Sequence, residues 1–247
     1  MASTNGHSIK PPGMTPMAGA PIPPSQAQPQ VGIGRMNEVI GSRDRRCEIY
    51  KYTSEHALYA SAWSNKGDIK YRLAVGTISD VAANPKTSNK VSIVQLKDDT
   101  GELVETANCQ VEFPVNAVGF IPDVENNYPD LLATTSDCLR IWRIVDGNIQ
   151  QDAVMSNSQN AQYGSALTGF DWNALEPRNI GVSSVDTTCT IYDVEVGAAI
   201  GTTKPVCPFT VKTQLIAHDK PVHDIEFSKL NGGRDHFATV GKILLLA

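Results

Sequence analysis

From residue 47 onward the sequence predicts an all-β protein, a partial propeller of four-stranded sheets. Three observations carry that prediction. Short runs rich in Val, Ile, Thr and aromatics alternate with Asn, Asp, Gly and Pro punctuation, the pattern of strands and turns. No window holds the long i, i+3, i+4 apolar pattern of a helix. One order of strands also recurs, its closing aromatics 57, 52 and 55 residues apart, and such a period signals repeated units that bury their faces against one another.

Each unit opens with an apolar alternation that ends in an aromatic. The four are Tyr59-Ala-Ser-Ala-Trp63, Val115-Asn-Ala-Val-Gly-Phe120, Leu167-Thr-Gly-Phe-Asp-Trp172 and Val222-His-Asp-Ile-Glu-Phe227. A small-residue strand follows: Leu73–Thr77, Leu131–Thr135, Ile180–Ser184 and Phe237–Gly241. Small side chains are expected there because that strand would run near a crowded axis. A third strand comes next in three units: Val91–Leu96, Leu139–Arg143 and Thr190–Asp193. Asp137 and Asp186 precede it in the second and third units, where a carboxylate can fix a tight turn through neighbouring amides. Asp146-Gly147 is a hairpin signal after the third strand of the second unit. Repeated four-stranded sheets around an axis leave only short, protected edges. The units are expected at about 58–109, 115–154, 166–216 and 221–247, the last incomplete after its second strand.

The first 44 residues read differently. All sixteen aromatics lie between Tyr50 and Phe237, and seven of the fifteen prolines fall in residues 11–29. A segment so poor in apolar bulk cannot offset its ordering entropy, so residues 1–44 are expected to be a disordered, partly polyproline arm preceding a body at 45–247. Residues 1–46 carry five basic and two acidic residues, a net +3 that leaves −8 on the remainder of a chain of net charge −5. An acidic body argues against a broad nucleic-acid surface. The cluster Arg43-Asp44-Arg45-Arg46 could serve as a nuclear address or an acidic-partner contact, but it reads first as a solvated boundary ahead of the first strand. Five scattered cysteines without a C-x-x-C pair, and no N-x-[ST] site, favour a reducing intracellular setting.

Ser136-Asp-Cys-Leu-Arg-Ile-Trp-Arg143 and Val185-Asp-Thr-Thr-Cys-Thr-Ile-Tyr-Asp193 resemble WD40 repeats, with Trp-Arg and Tyr-Asp in place of Trp-Asp. Ala217-His218 resembles the Gly-His entry of such a repeat. More narrowly, Glu48–Tyr52, Ile121-Pro-Asp123, Tyr128–Thr134, Leu139–Arg143, Leu167–Asn173 and Thr213–Lys220 resemble the family of plant Transparent Testa Glabra and animal WD-repeat protein 68 (DCAF7). The resemblance implies a non-enzymatic scaffold found in cytoplasm and nucleus. Its implied partners are kinases of the dual-specificity tyrosine-regulated class, transcription regulators of the MYB and helix-loop-helix types, and a cullin-type ubiquitin ligase reached through its adaptor. It also implies about seven blades, roughly 350 residues, so this chain is expected to be a C-terminally truncated member. Residues 47–52 are expected to be a strand deprived of its last-blade partners. The alternative function is that of a non-functional or dominant-negative truncation with incomplete partner binding.

No residue cluster points to catalysis, a metal or a cofactor. His218-Asp219 and His223-Asp224 give a His-x4-His, but Pro221 and the strand break defeat a shared helical face. His218 is expected instead to bridge strands within its blade. Asp137 and Asp186 sit at equivalent turns of different units and are expected to be structural rather than an acid–base pair. Gly32-Ile-Gly34 lacks the third glycine of a dinucleotide loop, and the cysteines read as small buried hydrophobes. Trp63, Phe120, Trp142, Trp172, Tyr192, Asp193 and Phe227 complete the repeat positions, with the tryptophans expected in the core. The long loops at 78–89, 156–162 and 196–210 are where recognition would fall on a rigid scaffold.

Overall fold

The computed structural model describes residues 48–79, 88–156, 165–195, 209–230 and 232–242. The chain divides into two units at Cys47/Glu48. The proline-rich arm, Gly32-Ile-Gly34, and much of the three long loops lie outside the described residues, as do residues 243–247.

Fourteen strands and no helix occur among the described residues. The first sheet holds β1 (Leu58–Trp63), β2 (Arg72–Thr77), β3 (Asn89–Lys97) and β4 (Glu102–Val111). The second holds β5 (Ala117–Phe120), β6 (Leu131–Thr135), β7 (Leu139–Val145) and β8 (Asn148–Met155). The third holds β9 (Leu167–Trp172), β10 (Asn179–Ser184), β11 (Thr188–Val194) and β12 (Phe209–Ile216). In the fourth, β13 (Val222–Phe227) pairs with β14 (Phe237–Gly241). All neighbours are antiparallel, and each complete sheet runs in chain order. This is the architecture of a partial β-propeller, with the strand order read from the sequence.

Local chemistry sets the hairpins. Asp146 and Gly147 have φ of 49° and 73°, and form the two-residue turn between the paired Val145 and Asn148. Positive φ at both positions gives the twist that antiparallel strands require. At the β10–β11 turn Thr187 takes φ 77° while the Asp186 carboxylate accepts from the Thr188 amide (3.0 Å) and hydroxyl (2.6 Å). The pairing of third and fourth strands shifts register at Ile93/Val94, Ile141/Trp142 and Ile191/Tyr192. One bulge therefore recurs at one place in three sheets, a second record of the repeat.

The core lies between sheets. One apolar cluster joins the first and second sheets, another the second and third, and a third the third and fourth. The first strands β1, β5, β9 and β13 follow one another side by side. The expectation that the small-residue strands lie nearest the axis is thus corrected, because β2, β6 and β10 are interior strands of their sheets. Their small residues serve the seam instead. A Cβ on Gly181 would come within 2.8 Å of Ile225 Cδ1, and one on Gly76 within 2.6 Å of Val115 Cγ1. Every residue of β6 and β10 is buried, whereas every residue of β12 is exposed.

A second correction concerns Glu48–Tyr52, which forms no strand. The segment crosses the first sheet instead, with the Tyr52 hydroxyl donating to Glu105 Oε2 of β4 (2.6 Å) and the Ile78 amide donating to the Ala57 carbonyl (3.0 Å). Without a ladder partner, side-chain hydrogen bonds hold it.

Candidate functional site

The predicted repeat residues fall into three groups. Phe120, Trp142, Trp172, Tyr192 and Phe227 are buried, and the polar atoms of three are satisfied. Trp142 Nε1 donates to Thr134 Oγ1 (2.8 Å), Trp172 Nε1 to the Pro177 carbonyl (2.6 Å), and the Tyr192 hydroxyl to the Ser156 carbonyl (3.2 Å). The turn group is ionic or hydrogen-bonded. Asp137 pairs with Arg140 (2.6 Å), Asp193 with Arg178 (3.0 Å), and His218 Nε2 lies 3.0 Å from Thr239 Oγ1 across its blade. Burial alone would raise the Asp137 carboxyl, but the bonds from Arg140 and Ser136 hold it below the ordinary range; Thr188 and Ser184 do the same for Asp186.

Trp63 stands apart, and its expected core placement is corrected: it is 61% exposed. Phe120, Trp172 and Phe227 each face the preceding sheet, within the clusters of the first, second and third seams. Trp63 turns the same way, opposite to Ala60 and Ala62, which pack toward the second sheet. No sheet precedes β1 among the described residues.

Charge pairs at the seams had no signature in the sequence. Lys66, in the β1–β2 loop, reaches across to Asp123 (3.1 Å), Asn126 (3.2 Å) and the Tyr128 carbonyl (3.0 Å). Arg72 of β2 makes a two-pronged pair with Asp130 (2.5 and 2.8 Å) and sits 4.8 Å over the Phe120 ring. Asp123 and Asp130 lie in Ile121–Asp123 and Tyr128–Thr134, two stretches singled out for family resemblance. That resemblance was the available pointer to them.

A chemically mixed cavity of about 490 Å³ lies beside the ends of the first strands of the four sheets. Asn65 follows β1, Phe120 ends β5, Phe170, Asp171 and Trp172 come from β9, and Lys229 follows β13. Apolar and polar residues both line the cavity. Asp171 Oδ2 accepts from the Phe227 amide (2.7 Å), tying the third sheet to the fourth. Burial pushes the Asp171 carboxyl above the ordinary aspartate value, and the Phe227 amide and Lys229 offset this only in part.

Among the described residues no group of three or more His, Cys, Asp or Glu is arranged to hold a metal ion. Burial pushes the thiols of Cys109, Cys138 and Cys189 up to about 11, 12 and 11, so they are protonated and poorly nucleophilic near neutral pH. No helix among the described residues is long and apolar enough to cross a membrane.

No model of a known protein family matches the chain. It is 36% identical over 195 residues to the DDB1- and CUL4-associated factor 7 homolog of Dictyostelium discoideum, covering 78% of this chain and 54% of that protein. The chain is a WD40-repeat protein of the DDB1- and CUL4-associated factor 7 family. An uncharacterized WD repeat-containing protein of Schizosaccharomyces pombe is 30% identical over 194 residues, covering 74% of this chain and 41% of that one. This WD40 chain therefore spans about half the length of the curated relatives it matches. Among solved structures, Sqt1 of Chaetomium thermophilum superposes with a TM-score of 0.54 at 14% identity, over 75% of this chain and 42% of that one. That likeness supports the WD40 propeller fold. The Trp-Arg of Trp142-Arg143 remains a departure from the repeat's Trp-Asp, and here Arg143 pairs with buried Asp152 (2.6 Å) of the next strand.

Proposed function

We propose that this chain is a non-enzymatic scaffold whose partners dock at the cavity beside the ends of the four first strands. The observation that carries the reading is the cavity itself: four sheets with packed seams each bring a strand end to one mixed apolar and polar concavity. Rigid elements that present variable loop and strand-end residues are suited to recognition. The titratable groups at the repeat turns are committed to structure, since Asp137 is paired with Arg140 and Asp186 with Thr188.

The finer reading concerns partners. The relative named for association with DDB1 and CUL4 supports DDB1 as one partner, and with it service as a substrate receptor of a cullin-type ubiquitin ligase. Kinases of the dual-specificity tyrosine-regulated class, and MYB and helix-loop-helix regulators, follow from the sequence resemblance and belong to the same proposal. Such partners put the chain in cytoplasm and nucleus.

The test uses the purified full chain as bait for purified DDB1, one such kinase and one such regulator at moderate salt. At least one partner is retained by the chain and lost with Phe170→Ala, which empties one wall of the cavity. Retention of none overturns the scaffold reading. So does a hydrolytic, transfer or redox activity abolished by changing one titratable residue.

A further inference from the structure

The carboxylates at the sheet seams are not treated alike. Asp123 is bonded to Lys66 and Asp130 to Arg72 across the first seam, and buried Asp152 is bonded to Arg143 within the second sheet. Asp171 is also half-buried at a seam, yet among the described residues it makes no ion pair with a basic group. The nearest candidate, Lys229, turns its Nζ to Glu226 at 2.8 Å, and Arg234 pairs with Glu176. Asp171 uses Oδ2 for the Phe227 amide and is among the residues that line the cavity of about 490 Å³. A volume of that order takes a side chain with its flanking backbone.

Resting on the reading of this cavity as the docking site, we propose that it receives an arginine side chain from an extended segment of a partner protein, the guanidinium against Asp171 and the stem along the apolar wall at Val118 and Pro122. A carboxylate without a basic partner suits a weakly hydrated guanidinium, which gives up its water more readily than an ammonium. The apolar lining from Val118 and Pro122 suits the methylene stem. The net charge of −8 on residues 47–247 draws a basic segment toward the site. The raised proton affinity of Asp171 agrees with this geometry, because burial and nearby Glu226 leave its charge under-compensated until a cation arrives.

The experiment titrates the full chain with N-acetyl-arginine methylamide and follows the amide resonances of Gly119, Asp171 and Lys229 by NMR. The citrulline analogue, which is isosteric and uncharged, and the lysine analogue are run beside it. Saturable shifts are expected with arginine, weaker binding with lysine, and a loss of about tenfold with citrulline. Asp171→Asn keeps an acceptor for the Phe227 amide and removes the charge; it is expected to cost arginine about tenfold while the unfolding midpoint holds. If that variant fails to fold, Lys229→Gln carries the test: removing the competing cation tightens arginine binding severalfold. Equal binding of arginine and citrulline overturns the proposal, as does an unaffected Asp171→Asn or a Lys229→Gln that binds no tighter. Partner capture separates this inference from the one beneath it. Capture lost with Phe170→Ala but kept with Asp171→Asn rejects the arginine and leaves the docking site standing. Capture kept by both rejects the site.

Discussion

Between the first and second sheets two basic side chains are withdrawn from water and held by carboxylates, Lys66 by Asp123 and Arg72 by Asp130. Between the third and fourth sheets the polar fittings are mostly neutral: Thr168 donates to the Val222 carbonyl (2.7 Å), Asn173 to the Arg234 carbonyl (2.7 Å), and the Phe227 amide to Asp171 (2.7 Å). The charge pairs across that seam, Arg234 with Glu176 and Lys212 with Asp235, have solvent-exposed basic side chains. Both seams bury apolar side chains on the same plan. The difference teaches what buried charge does here. A carboxylate already matched to a buried cation closes a seam, and one left unmatched beside a cavity is available to a ligand.

The comparison breaks most readily at Asp123, whose side chain is 2% exposed and accepts from Lys66 and from the Asn127 (2.9 Å) and Tyr128 (2.8 Å) amides. Asp123→Ala strands a buried lysine and is expected to cost about 3–5 kcal/mol in urea unfolding. A loss below 1 kcal/mol would mean the first seam does not depend on its ions. The apolar packing of the third–fourth seam is probed at Gly181, where an added methyl meets Ile225 and Phe227. Gly181→Ala is expected to cost about 1–3 kcal/mol by overpacking, and a neutral result would mean that seam yields freely.

The two seams also answer pH with opposite sign. Burial works to raise Asp123, but the Tyr128 and Asn127 amides and Lys66 hold it below the ordinary value of 3.8. Its contribution is present above the unfolded-chain value and is lost as pH falls through the lower, folded value. Asp171 is raised above 3.8. Its contribution is full below the unfolded-chain value and is lost as pH rises through the higher, folded one. Asp171→Asn should remove the loss on that rising side, and the measurement is the urea midpoint across acidic pH. An unchanged profile would contradict the assignment. The smallest effect is expected from Glu176→Ala, about 0–1 kcal/mol, because its partner arginine is largely exposed.

Strand order was readable because it rests on local alternation. The Asp146-Gly147 turn was readable because both residues tolerate positive φ. The carboxylate at Asp186 was readable for a similar reason, since its partner Thr188 is two residues away. The seam ions were not, because Lys66 and Asp123 are 57 residues apart and neither carries a local pattern. Trp63 misled for a related reason. It closes the same alternation as Phe120 and Trp172, and alternation reports which face a residue takes without reporting what lies on that face. The cavity is the extreme case, assembled from four strand ends that meet only once the sheets are packed.

Hydrogen exchange of the full chain, with and without purified DDB1, tests the central claim most directly. The account predicts slowed exchange at residues 118–124 and 170–174 and at Lys229 on complex formation, with the exposed strand 209–216 unchanged. Protection confined to 209–216, or a complex that leaves the cavity residues exchanging as in the free chain, would contradict it.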